Sequence, residues 1–211
     1  QISDAITGQV LWSRNAGTPR IPASNDKVLT AAAALLALPH DQRLTTSVVA
    51  GTNGQIILKG AGDPTAVEGR AGLADLAEEV AASLQTKGGT RYSLRLDATY
   101  AAGERYAPGW SMADVAAGYT QGVSMIGLAG DRPEPFKPSP KVPERTVLKA
   151  FAAQLKKAGV SISVDDSSST WRTPAPEGAE ELGSVESAPL GDVLALALDH
   201  FDNALTENVA R

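Results

Sequence analysis

The sequence contains no cysteine and only two histidines, His40 and His200. The absence of thiols excludes disulfide bonds, zinc–thiolate sites and cysteine catalysis. The two histidines form no HExxH pair, and they leave few partners for a serine–histidine triad. A lone histidine on a helix usually has a structural role, so we interpret His200 in that way. We therefore expect neither a catalytic metal nor a cofactor.

Long apolar runs and a basic charge balance are also missing. The longest apolar run, residues 28–38, spans about eleven residues, which is too short to cross a bilayer. A net charge of −5 and a pI near 5.1 provide no basic face for nucleic acid or anionic lipid. The chain shows no signal peptide and begins inside a predicted strand, but removal of an export signal would leave the same start.

Hydrophobic periodicity and turn residues divide the chain into short strands and amphipathic helices. Residues 44–142 have fewer long helices than their flanks. We therefore predict an α+β protein in which residues 1–43 and 143–211 form one domain and residues 44–142 form a smaller inserted domain. In chain order we expect a hairpin in 1–13, a helix at 24–38, strands at 45–50 and 55–59, a helix at 73–85, a strand at 92–96, a helix at 144–157, a strand at 160–164, a polar loop at 165–181 and a last helix from 187 to 211.

The clearest chemical candidate is the segment Ser24–Lys27, which has the spacing S-x-x-K at the start of a predicted helix. Residues three apart share a helix face, so the lysine amine can reach the serine hydroxyl. A lysine kept neutral by burial can act as the base that a serine nucleophile needs. The alternative from spacing alone is that Ser24 caps the helix and Lys27 is a solvated first-turn residue.

The surrounding sequence resembles the class C low-molecular-mass penicillin-binding proteins, which are D-alanyl-D-alanine carboxypeptidases and endopeptidases. Residues 22–33 resemble the family's PAS-x-x-K-x-x-T-A-A-A stretch. Matching segments follow the family's order through nearly the whole chain. These are residues 4–12 (D-x-x-T-G-x-x-L), 60–65 (G-x-G-D-P-T), 96–97 with 108–110 (L-x-D and P-G-W), 187–190 (S-x-P-L) and 202–207 (D-N-x-x-x-E).

The resemblance implies a fold, a reaction and a location. The fold would be a penicillin-recognition domain, related to β-lactamases and transpeptidases, with helices covering a mainly antiparallel sheet. Ser24 would attack the bond between two D-alanines of a peptidoglycan stem peptide, and Lys27 would take its proton. An acyl-enzyme would form and hydrolyse, β-lactams would acylate the same serine, and the protein would be exported to the periplasm or cell envelope.

The sequence departs from the family pattern at two motifs. The second family motif is S-x-N, but here Phe201 stands where the relay serine is expected, while Asn203 is retained. The third motif, K-T-G, does not occur in the 211 residues. We therefore expect a missing C-terminal segment or a second chain to complete the sheet. Because Phe201 replaces the relay serine, a non-catalytic homologue is an alternative function. A β-lactamase is a third possible function, but the inserted segment and the GDPT and PGW stretches disfavour it.

Asp63 is a further candidate in the segment 60–64. This segment lacks a phosphate-loop pattern, and a tight turn explains its glycines. The resemblance implies that Asp63 lines the substrate groove of the inserted domain. The alternative is a structural role in which Asp63 caps the turn. The predicted site thus comprises Ser24, Lys27 and Asn203, with Asp63 and Phe201 as candidate substrate contacts.

Overall fold

The N-terminal segment forms the predicted hairpin and leads into the first helix. A computed structural model describes residues 1–63, 72–89, 91–100, 103–164, 167 and 172–211. Strands β1 (Ile2–Ser3) and β2 (Val10–Trp12) pair antiparallel, which confirms the hairpin. The Asp4 carboxylate accepts hydrogen bonds from two backbone amides in the turn, as aspartates in tight turns commonly do. Helix α1 follows at Asp26–Ala37.

A mixed sheet forms the centre of the molecule. Its strands are β3 (Thr45–Ala50), β4 (Gln55–Lys59), β5 (Tyr92–Asp97), β6 (Ile162–Val164) and β7 (Glu181–Glu186). Within the described residues their order is β6-β5-β4-β3-β7; β3 is antiparallel to both its neighbours, whereas β4–β5 and β5–β6 are parallel. Parallel neighbours need long crossover connections, which contain helices α2 (Leu73–Gln85) and α4 (Pro143–Lys157). The sheet is therefore mixed, with parallel and antiparallel neighbours.

Helices α2 and α4 bury their apolar faces against this sheet. The buried positions of α2 recur every three or four residues, as expected for an amphipathic helix. Phe151 of α4 is fully buried in the same cluster as Leu58 and Leu94 of the sheet. Burial of such a side chain contributes about 1.5–3 kcal/mol, so this cluster provides much of the driving force for folding.

The predicted domain boundary near residue 143 falls inside this sheet and its helices. Helix α4 and strands β6 and β7 share the sheet and the core with the strands of residues 45–97. We therefore infer that the inserted unit extends from about residue 44 to residue 186. The sequence did not predict strand β7, because its buried residues, Leu182 and Val185, are three apart and not two as in an alternating strand. The pairing of β7 with β3 shifts register at Val48/Val49, which interrupts the alternation of a regular strand.

The remaining predicted segments either differ from the structure or fall on residues that the structure does not describe. The single helix predicted from 187 to 211 is two helices, α5 (Leu190–Asp199) and α6 (Asn203–Ala210), with a break at residues 200–202. A short helix α3 (Met112–Ala116) was not predicted. Residues 64–65 of the GDPT stretch, and residues 165–166 and 168–171 of the loop predicted at 165–181, lie outside the described residues.

Helices α1, α5 and α6 pack together beside the inserted unit of residues 44–186, which contains the sheet and is called the sheet unit below. Val193 and Ala197 of α5 form a small apolar cluster with Leu205 of α6. Helix α1 leaves much of its apolar surface uncovered, and Leu36 is 89 % exposed. In the described part of the chain, no helix combines the length and the apolar character that crossing a membrane requires.

Candidate active site

Ser24 lies in a 3-10 turn, Ala23–Asn25, immediately before α1. The N-cap position of α1 belongs to Asn25, so Ser24 is not the helix cap that the spacing alone allowed. The preceding residue, Ala23, has a φ of 51°, which is costly for a residue other than glycine. This turn places the exposed Ser24 side chain at the positive end of α1, where a developing negative charge is favoured.

Lys27 is buried rather than solvated, with only 7 % of its surface exposed. Its amine donates a hydrogen bond to Oδ1 of Asn203 over 2.5 Å, which joins α1 to α6. Burial lowers the pKa of Lys27 below the ordinary 10.5, and the nearby carboxylates of Asp202 and Asp26 partly oppose this shift. The Lys27 amine therefore loses its proton more easily than a solvated lysine does, as a general base requires.

Asn203 is the first residue of α6, and its amide has partners on both sides. Its Nδ2 donates to the backbone carbonyl of Tyr119 over 3.0 Å, while Oδ1 accepts from Lys27. The carbonyl can only accept, so this contact fixes the amide orientation that turns Oδ1 toward the lysine. Asp202 accepts from the backbone amide of Leu205 and so caps the helix that carries Asn203.

Ser24, Lys27 and Asn203 line one open cavity of about 310 Å³, which brings together residues from both ends of the chain. The structure shows no hydrogen bond between the Ser24 hydroxyl and the Lys27 amine, as is common before substrate tightens a site. The other lining residues are not among the predicted site residues. The full lining is Ala23, Ser24, Asp26, Lys27, Thr30, Trp110, Asn203, Thr206, Glu207 and Ala210.

The two candidate substrate contacts lie outside this lining. Asp63 is 95 % buried in the sheet unit, where its backbone forms a bridge with Ile126, so it does not face the cavity. Phe201 lies between α5 and α6 with a φ of 52°, and 65 % of its surface is exposed. His200 ends α5 as its C-cap residue.

Trp110 is a residue whose role the sequence did not reveal. Spacing alone does not place the P-G-W stretch beside Ser24, yet Trp110 forms part of the cavity wall. The motif itself was the available signal, because an aromatic residue in an irregular Gly- and Pro-rich segment can be held at a binding site. Among the described residues, no group of three or more histidine, aspartate or glutamate side chains is arranged to hold a metal ion.

Comparison with solved structures defines the fold class. The chain is similar to the crystal structure of penicillin-binding protein 4 from Haemophilus influenzae, complexed with a β-lactam, with a TM-score of 0.55 and 19 % identity. The match covers 96 % of this chain and 57 % of that chain. The protein thus has the α+β penicillin-recognition fold that the sequence resemblance implied.

Sequence comparison identifies the family. The sequence profile of the D-Ala-D-Ala carboxypeptidase 3 (S13) family matches residues 1–132. Carboxypeptidase Rv3627c of Mycobacterium tuberculosis and carboxypeptidase DacB of Mycolicibacterium smegmatis are each 34 % identical, over 100 % of this chain and 47 % of their own length. The D-alanyl-D-alanine carboxypeptidase of Actinomadura sp. strain R39 is 37 % identical over 62 % of this chain and 25 % of its own. The chain belongs to the S13 family, and it spans about half the length of the mycobacterial relatives.

Proposed function

We propose that the full-length protein is a serine-type D-Ala-D-Ala carboxypeptidase that acts on peptidoglycan stem peptides through an acyl-enzyme. The observation that carries this proposal is the buried Lys27 amine, 2.5 Å from Asn203 Oδ1, in the cavity that Ser24 also lines. Membership of the S13 family supports the substrate class.

The residues of the cavity suit a two-step acyl transfer. The Ser24 hydroxyl adds to the carbonyl carbon of the penultimate D-alanine while Lys27 accepts the serine's proton. The carbon–nitrogen bond then breaks, and the terminal D-alanine leaves with its amine protonated by the proton that Lys27 had accepted. Water then hydrolyses the Ser24 ester. Asn203 holds the lysine in place throughout. A β-lactam carries a strained amide in the position of the scissile bond, so we expect it to acylate Ser24 as well.

The uncovered apolar surface of α1 supports a further part of the proposal. Val28, Leu29 and Leu36 are each more than half exposed, and such a cluster on a folded protein marks a contact surface. We propose that a segment of the full-length protein outside these 211 residues covers α1 and contributes the K-T-G strand that the resemblance implies. The similarity to relatives of about twice this length agrees with that proposal.

The proposed substrate determines where the protein acts. Peptidoglycan lies outside the cytoplasmic membrane, so we propose that the protein is exported to the periplasm or cell envelope.

Release of D-alanine from a peptide ending in D-Ala-D-Ala tests the proposed activity. The full-length protein should release D-alanine from this peptide and not from the matched peptide ending in L-Ala-L-Ala. The Ser24→Ala variant should release none. Equal turnover of both peptides, or unchanged release by the Ser24→Ala variant, would contradict the proposal.

A further inference from the structure

Arg132 and Asp202 form a largely buried ion pair next to the site. The Asp202 carboxylate oxygen Oδ2 accepts from Arg132 Nε over 2.7 Å and from Nη2 over 2.5 Å. The side chains of Arg132 and Asp202 are 12 % and 5 % exposed. Arg132 lies between α3 and α4, whereas Asp202 directly precedes Asn203. The pair therefore ties the segment between α3 and α4 to the start of the helix that carries Asn203.

Each partner of the pair is held by a second contact. The other oxygen of Asp202, Oδ1, accepts from the Leu205 amide over 2.9 Å and caps α6. The buried Gln121 side chain, in the amide orientation that satisfies its neighbours, accepts from Arg132 Nη1 over 2.7 Å and donates to the Asp131 carbonyl over 2.8 Å. The guanidinium is thus fixed on two sides, and a fixed guanidinium orients the carboxylate that caps α6.

The same carboxylate influences Lys27. Asp202 raises the pKa of Lys27, against the larger effect of burial, which lowers it. The Arg132 cation bound to Asp202 reduces the field of that carboxylate at the lysine. The charged groups around Lys27 are Asp26 on α1, Asp202 before α6, and Glu207 on α6, which also lines the cavity and is paired with Arg211 over 3.1 Å.

We propose that Arg132 is a positioning residue: it holds Asp202, and through it Asn203, against Lys27, and it compensates the negative charge beside the lysine. As far as catalysis is concerned, this inference rests on the proposed function. Arg132 itself is not among the residues that line the cavity, so it acts through Asp202 rather than on substrate.

The decisive experiment compares Arg132→Gln with the double variant Arg132→Gln/Asp202→Asn in the full-length protein. The pH dependence of Lys27 modification is measured by competitive reductive methylation and mass spectrometry. Arg132→Gln leaves Asp202 uncompensated, so the midpoint of Lys27 modification should rise by about one pH unit. The double variant removes both charges and keeps a good N-cap residue. Because Asp202 raises the pKa of Lys27 in the unaltered protein, the midpoint of the double variant should return to the unaltered value or fall below it.

Penicillin acylation provides the second readout. Below the midpoint, Arg132→Gln should acylate about tenfold more slowly, because one pH unit is a tenfold change in neutral amine. At a pH above both midpoints, the rates of the two proteins should converge. Arg132→Lys keeps the positive charge but loses the contact of two nitrogens with Asp202, so it should leave the midpoint of Lys27 modification nearly unchanged. If Arg132→Gln does not fold, Arg132→Lys replaces it as the test variant.

A matched control is Lys87→Gln, which breaks the exposed Lys87–Glu180 pair in the sheet unit and should leave the Lys27 midpoint unchanged. An unshifted midpoint in Arg132→Gln, or an equal shift in the double variant, would overturn the proposal. If Arg132→Lys is the test variant, a rise of about one pH unit in the midpoint of Lys27 modification would also overturn the proposal. Absence of any penicillin acylation would refute the proposed function, whereas the Lys27 modification curves would still test the ion pair.

Discussion

Replacement of Lys27 by arginine tests whether the buried amine is the base for Ser24. Arginine keeps the positive charge, but a guanidinium does not lose its proton in proteins. In the unaltered protein the pKa of Lys27 is lowered by burial, so acylation should rise with pH, with a midpoint below 10.5. Below that midpoint the amine is protonated and cannot accept a proton. Lys27→Arg should lack this rise at any pH.

The expected size of the effect follows from what the variant loses. A positioned general base contributes at least about a hundredfold in rate, which corresponds to about 2.7 kcal/mol in the barrier. Lys27→Met adds a second measure, since it also removes the hydrogen bond to Asn203 Oδ1. A hydrogen bond to a charged group is worth about 1.5–3 kcal/mol, but removal of a buried charge offsets part of this loss. Lys27→Met should therefore remain folded while it loses acylation.

Stopped-flow acylation by a fluorescent penicillin, recorded across pH in the full-length protein, provides the assay. Lys157→Met is the control, because Lys157 is exposed at the end of α4 and does not line the cavity. Thermal unfolding shows whether each variant is folded. If Lys27→Arg acylates at a rate near that of the unaltered protein, Lys27 acts only as a charged neighbour, and its role as the base is refuted.

Three further substitutions test separate parts of the account. Asn203→Ala removes the acceptor that holds Lys27, so penicillin acylation should fall by about tenfold or more while the protein stays folded; an unchanged rate would show that the contact is dispensable. Phe201 lies outside the cavity lining, so Phe201→Ser should leave D-alanine release nearly unchanged; a rise of about ten- to a thousandfold would instead show that Phe201 displaces a relay hydroxyl. Phe151→Ala empties the centre of the sheet core and should cost about 3–5 kcal/mol in urea unfolding; a loss under about 1 kcal/mol would contradict the central packing of Phe151.

The sequence predicted the local elements well wherever periodicity and turn residues agreed. The strands at 45–50 and 55–59 and the helix at 73–85 have the predicted bounds, because each has a regular pattern between clear turn signals. The prediction was wrong where geometry broke the pattern. The break between α5 and α6 depends on a positive φ at Phe201, and phenylalanine gives no sign of that conformation.

The chemistry of the site was only partly visible in the sequence. The S-x-x-K spacing and the family stretch around it indicated Ser24 and Lys27, and the D-N pair indicated Asn203. No spacing rule could connect Arg132 with Asp202, since the two are separated by 70 residues and only the tertiary fold brings them together. Asp63 matched a family motif, but its burial in the sheet unit depends on the packing of residues 125–127 against it.

The most direct test of the central claim is to locate the penicillin adduct on the full-length protein. Intact-mass spectrometry after incubation with benzylpenicillin should show the addition of one acyl group, and peptide mapping should place it on Ser24. The Ser24→Ala variant should show no addition, although it remains folded. An adduct on another residue, or an undiminished adduct in Ser24→Ala, would contradict the assignment of Ser24 as the nucleophile.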